Sequence, residues 1–194
     1  MDDKTIRFEH QHEEMTNVYF IDQDYLIRYS WINGTTDEKY IRPAIRLGQL
    51  KRVRFYLGKC LYDKLESLVL NQDEVDDTSI NHVDNVAYKT LLDDYVRDVV
   101  MYWTLVELYP YLVRKIDNSN IIKRVGQNTE TLTTDELADM VKSERSNAQH
   151  FTDQMRNYLD DLEGDDRIDE WETCDDCDRT SKKEIQWMDG LDVI

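Results

Sequence analysis

Cys174 and Cys177 enclose two aspartates in a C-x-x-C spacing, which supplies half of a tetrahedral zinc site by presenting two thiolates to one metal. A second such pair or a nearby histidine is needed to complete four ligands, and the sequence offers neither, so free thiols or a metal shared between subunits stay open. His10 and His12 would share one side of an extended segment but again have no third ligand close by, and we read them as part of a solvated arm. Asp73, Glu74, Asp76 and Asp77 lack the glycine and terminal glutamate of a helix-loop-helix calcium site. Asp93-Asp94 and Asp160-Asp161 are adjacent pairs, which on a helix diverge by about 100° and serve no common substrate. There is no glycine-rich phosphate loop, no glycine-flanked serine elbow and no histidine pair on a helix with an intervening glutamate. We therefore assign no catalytic, cofactor or metal residue, and expect a protein that is not an enzyme.

The elements that would position any site are helices. Six glycines and two prolines in 194 residues are too few for the turns of a many-stranded sandwich, so the expected class is all-α. Residues 1–35 read as an extended N-terminal arm, with a short helix capped by Asp22 and running through Tyr25, Leu26 and Tyr29. Residues 36–163 read as the folded body, a small bundle of three to four long helices. Thr36 is the expected cap of the first, with Pro43 in its first turn. Its buried stripe is Ile41, Ile45, Gly48, Val53, Leu57, Leu61, Leu65 and Leu68, with a kink at Gly58.

An acidic surface loop spans 71–85. A second helix carries Tyr88, Leu91, Leu92, Tyr95, Val96, Val99, Trp103, Val106 and Tyr109, kinks at Pro110 and runs on to Ile116. A long loop or hairpin with Ile121, Ile122 and Val125 follows. Thr133 and Glu136 then fit a capping box. The last helix has a four-three seam of Leu137, Val141, Glu144, Ala148, Phe151, Met155, Tyr158 and Leu162. Residues 164–194 read as an acidic C-terminal tail that orders only where Trp171, Ile185, Trp187 and Met188 dock on a partner.

The charge is lopsided, 41 acidic against 24 basic residues, for a net −17. That excludes a protein that wraps duplex DNA, which needs clustered Lys and Arg, but suits one that lets DNA pass without adhering. The start shows no secretory signal, and Val99 to Val113 is too short and too interrupted to span a bilayer, so a cytosolic protein with Cys60, Cys174 and Cys177 as thiols is expected. Against this acidic background Arg42, Arg46, Lys51, Arg52, Arg54 and Lys59 gather on one helix, either as a solvated face or as a contact for an acidic neighbour.

From about Phe20 to Leu162 the chain resembles the small α-helical head-to-tail connector (adaptor or neck ring) proteins of tailed bacteriophages, in particular the Bacteroidetes and crAss-like type. The resemblance is carried by Tyr40-Ile41-Arg42-Pro43-Ala44-Ile45 with Gln49, and by Tyr56-Leu57-Gly58 with Leu61-Tyr62 and Leu65. It continues through Tyr88 to Tyr95, Tyr102-Trp103, Glu107 to Tyr111, and Met155 to Leu159. A turn glycine expected near 116–120 is replaced by Ile-Asp-Asn-Ser-Asn, and the acidic tail lies outside the likeness.

The resemblance implies a virion protein of the tail neck, assembled in the host cytoplasm. It implies a homo-oligomeric ring of twelve copies bound to the portal and other neck or tail proteins, with DNA passing through its lumen and no membrane. Such a ring requires two complementary faces per subunit, and Arg46, Arg52, Arg54, Ile121, Ile122, Trp171 and Trp187 are the expected interface residues. Two rivals remain: an acidic DNA mimic or adaptor that occupies a host enzyme, and a metal-dependent enzyme using the Cys pair and histidines.

Overall fold

The computed structural model describes residues 18–32, 34, 36–117, 120–123, 133–164 and 167–172, with only the backbone at 113–117, 120–123 and 172. The fold is all-α apart from one two-stranded hairpin. Helix α1 (Gln23–Tyr29) starts where the Asp22 carboxylate accepts from the Tyr25 N–H, as its sequence implies. Asp37, not Thr36, caps α2 (Glu38–Gly48) by accepting from Lys39, which starts the helix one residue later than a Thr36 cap would, and Pro43 falls in its second turn and not its first.

The rod continues through a π-helical turn (Gln49–Val53) into α3 (Arg54–Leu57) and stops at Gly58. That residue has φ +77° and ψ 160°, a conformation closed to residues with a Cβ, so the single long helix of the sequence reading becomes two. Helix α4 (Lys59–Leu70) follows.

The acidic segment 71–85 is a structured corner. Asn85 donates from Nδ2 to the carbonyls of Asp77 and Ser79, and Ile80 N–H returns to Leu68 O. Helix α5 (Val86–Leu91), a second π turn (Leu92–Val96) and α6 (Arg97–Val113) form the next rod. The rod ends at Val113 and does not reach Ile116, which lies in β1 (Arg114–Asp117). Pro110 has already removed one helical N–H, and the β-branched Ile116, Ile121 and Ile122 favour extended pairing. β1 pairs antiparallel with β2 (Asn120–Lys123) in a register of Ile116 with Ile121 and Lys115 with Ile122.

Helix α7 (Thr134–Asp161) opens on the expected capping box: Glu136 N–H donates to Thr133 Oγ1 at 3.2 Å and Thr133 N–H to Glu136 Oε2 at 2.7 Å. A single turn, α8 (Asp169–Glu172), closes the described chain.

The architecture is centred on α6, which packs against α2 on one side and α7 on the other. Being covered twice, α6 buries Val99, Val100, Met101, Trp103, Thr104, Leu105, Leu108 and Tyr109, nearly its whole circumference. On α7 the buried line is Glu144, Ala148, Thr152, Met155 and Leu159, while Phe151 and Tyr158 stack at its edge on Tyr102 and Tyr95 with centroids 4.6 and 4.3 Å apart.

Two of the expected boundaries move. Phe20, Ile21, Leu26 and Ile32 are buried in the core, so 18–32 belongs to the body and not to an arm. Gln49, itself buried, ties this segment down: its Oε1 accepts from Phe20 N–H, and its Nε2 donates to Val18 O and Tyr62 Oη, each at 2.9 Å. Likewise Ile168 and Trp171 are buried against the body. The rest of the expected arm and tail, with His10, His12, Ile185, Trp187 and Met188, lies outside the described residues.

Gly48 is where α2 meets α6 most closely. A Cβ there would stand 3.0 Å from Thr104 N and 3.2 Å from both Thr104 Oγ1 and the Trp103 carbonyl carbon. Alanine would gain about 1 kcal/mol of helix propensity. Forcing two backbones apart costs about 1–3 kcal/mol, so overpacking wins. Gly48→Ala is therefore expected to lower the urea midpoint, whereas Gly34→Ala, with open space around it, is expected to leave it unchanged.

Tyrosines in this interior hold their protons. Burial, then the nearby Glu144, push Tyr109 up to about 12; burial and Asp98 raise Tyr25, and burial and Glu170 raise Tyr88. A raised folded pKa means stability that is complete below the unfolded value near 10 and is lost as pH climbs through that of the fold. Stability against urea is expected to fall between about pH 10 and 12, and to fall less steeply in Tyr109→Phe.

Candidate interaction surface

The basic cluster does not form one face. Lys51 reaches Glu107 on α6 at 2.9 Å, Arg42 reaches Glu38 at 2.6 Å, and Arg54 and Lys59 both bind Asp63 at 3.5 and 3.3 Å. Arg52 lies on the other side of the rod from Arg54, its guanidinium 4.5 Å above the Trp103 ring, and its buried Nε has no hydrogen-bond partner among the described residues. Most of the positive charge is thus spent within the chain. Arg52 and Arg54, expected as contacts for a neighbour, are occupied inside the subunit.

Arg46 differs. It is exposed, and no carboxylate lies within ion-pair distance of it among the described residues. It lines a groove of about 480 Å³ between α2 and α4, together with Gln49, Leu50, Tyr62, Glu66 and Leu70. Glu66 has its pKa raised, first by burial and then by Asp63, while Arg54 and Arg46 oppose the shift. Leu50 is 37% and Leu70 54% exposed, so the groove presents apolar walls beside one cation and two carboxylates, a mixture suited to a protein partner. Leu47 and Phe55 extend the exposed apolar residues of the same rod.

These leucines escaped the sequence reading, although a signal existed. The helix needs only Ile41, Ala44, Ile45 and Val53 for its buried stripe, so Leu47 and Leu50 are apolar residues in excess of the core. Trp31, in the turn after α1, is 89% exposed. Large exposed aromatics of this kind are common anchors of interfaces.

Of the other expected interface residues, Ile121 and Ile122 lie on β2 of the hairpin. Trp171 is only 6% exposed, and its Nε1 donates to Asp160 Oδ1 at 3.1 Å. It anchors its own chain, because α8 covers α4 and Tyr88 donates to Glu170. Trp187 lies outside the described residues.

A wider groove of about 920 Å³ runs beside α1, lined among others by Tyr19, Tyr25, Arg28, Tyr29, Arg42 and Arg97. Arg42 and Arg97 are engaged by Glu38 and Asp93, and Tyr25 donates to Asp98 at 3.1 Å. Among the described residues no three His, Cys, Asp or Glu side chains come together as a metal site. Cys60, at the start of α4, is disulfide-bonded, which corrects the expectation that all three cysteines stay thiols.

No curated protein and no solved structure matches the chain. A family model does match, over residues 55–181, a span that takes in the α4–α7 body and passes through α8. The chain belongs to that family, DUF6712, a family of unknown function.

Proposed function

We propose that this protein is a structural subunit of the neck of a tailed bacteriophage, one copy in a twelve-membered ring that joins portal to tail around the DNA channel. The observation that carries the reading is the ordered succession of motifs from Tyr40 to Leu159. Their apolar members, among them Ile41, Ile45, Leu57, Leu61, Leu65, Leu91 and Trp103, are core residues. A likeness carried by core residues is one of fold, and function follows from it by analogy.

Surface features support the analogy. The net charge of −17 suits a wall that DNA slides past. The α2–α4 groove with Arg46, Leu50 and Leu70 and the hairpin bearing Ile121 and Ile122 are two different faces, as a closed ring of identical subunits needs. The role is structural, with no cofactor, and its setting is the virion and, during assembly, the host cytoplasm. Among the described residues no helix is long and apolar enough to cross a membrane.

The groove can be tested directly. Arg46→Glu combined with Leu50→Asp changes exposed side chains, so circular dichroism is expected to show an intact fold. Assembly of the chain with its own copies on the portal, measured by sedimentation, is expected to weaken by about tenfold or more, as for the loss of an interface anchor between subunits. Unchanged binding would remove this groove from the interface.

A further inference from the structure

We propose that Trp31 of one copy of this chain seats in the α2–α4 groove of the next, its indole lying against Arg46 and between Leu50 and Leu70. The proposal rests on the reading that this groove meets a neighbouring copy, and it names the side chain that fills it. Trp31 is 89% exposed, the most exposed aromatic among the described residues. It stands on a fixed turn: Ser30 Oγ donates to Leu26 O at 2.6 Å and accepts from the Ile32 N–H at 3.2 Å, and Ile32 itself is buried. A side chain held on such a turn loses little freedom on binding, and tryptophan is among the commonest interface anchors. Trp31 lines neither groove of its own chain, which leaves its ring available to another copy.

The charges of the groove select a neutral aromatic over an ion. Arg46 makes no ion pair among the described residues, while Asp63 and Glu66 bring negative charge to the same walls. Asp63 is engaged by Arg54 and Lys59, whereas the half-buried Glu66 has no hydrogen-bond donor among the described residues. An entering cation is repelled by Arg46 and an entering anion by Glu66. An indole complements both: its ring face attracts the guanidinium, and its Nε1–H supplies the donor that Glu66 lacks. Leu50 and Leu70, 37% and 54% exposed, are then covered by its apolar edges. The same pairing already exists inside the subunit, where the Arg52 guanidinium lies 4.5 Å above the Trp103 ring. One knob and one groove on each copy make a head-to-tail contact, the kind that a closed ring repeats.

The test is sedimentation velocity of the full chain alone, up to about 1 mM so that even weak self-association registers. The parent is compared with Trp31→Ala, Leu50→Asp and the double variant, all with unchanged circular dichroism because both side chains are exposed. The parent is expected to self-associate and each single variant to do so about tenfold or more weakly. The double variant is expected to be no weaker than the weaker single, since both changes remove one contact. An equal mixture of the two single variants is expected to form a dimer and stop there, because one supplies only a groove and the other only a knob. If Leu50→Asp weakens association and Trp31→Ala does not, Trp31 is overturned as the occupant while the groove stays an interface. If neither has an effect, the groove reading falls as well. A parent that is monomeric throughout overturns the pairing, and leaves the ring on the portal to be judged by microscopy.

Discussion

Trp103→Ala is expected to be the most damaging single substitution in the molecule. The ring is fully buried between α2, α3 and α7, stacks on Tyr56 with centroids 6.1 Å apart, carries the Arg52 guanidinium on its face, and donates from Nε1 to Thr152 Oγ1 at 3.1 Å. Truncation removes a large buried area and leaves a cavity, together about 3–5 kcal/mol. It also takes away the ring face that Arg52 contacts, so a half-buried cation is left over a void. Against a total stability of about 5–15 kcal/mol the variant is marginal or unfolded at 37 °C. Trp103→Phe keeps most of the packing and loses the Thr152 hydrogen bond, worth about 1 kcal/mol. Chemical denaturation of the two variants is expected to order them well apart, with Phe much closer to the parent.

A truncation after Gly164 is expected to destabilise the body, contrary to what a detachable tail would do. It removes Ile168 and Trp171, which are 1% and 6% exposed, and the Tyr88–Glu170 and Trp171–Asp160 hydrogen bonds. Loss of a buried tryptophan alone is of the order of 3–5 kcal/mol. A chain ending after residue 181, where the family match ends, keeps these contacts and all three cysteines and is expected to melt near the parent temperature, so the pair of truncations separates anchor from extension. The family match running past residue 164 to 181 agrees with a body that continues beyond α7.

The helices were legible because their signals are local. Asp22 and the Thr133–Glu136 box are caps that act within three residues, and both begin helices where expected. Gly58 was legible as a disturbance but not as a full stop, since only the conformation of its neighbours dictates φ +77°. What escaped was tertiary. The burial of α6 on two sides depends on which helices flank it, and its stripe of Val99, Trp103, Val106 and Tyr109 describes one of them. Thr104 and Thr152 are polar, yet each is buried with its hydroxyl donating to the carbonyl four residues earlier, at 2.7 Å.

The same holds for charge. A row of arginines and lysines is visible in one dimension, but Glu107, which pairs with Lys51, and Asp63, which pairs with Arg54, arrive from other helices. Within this row Arg46 has no ion-pair partner among the described residues, and the apolar walls beside it come from two elements that are twenty residues apart, Leu50 and Leu70. The acidic composition similarly suggested that everything after Gly164 was a loose tail, whereas two apolar residues within it, Ile168 and Trp171, suffice to dock its first turn.

The most direct test of the connector reading is electron microscopy of the purified chain mixed with the portal and tail proteins encoded beside it. The account predicts closed twelve-membered rings of this chain on the tail-facing end of the portal, with the α2–α4 groove of each subunit covered by its neighbour. Bare portals, together with capture of a host nucleic-acid enzyme by the same chain, would contradict it and make the acidic surface itself the working feature.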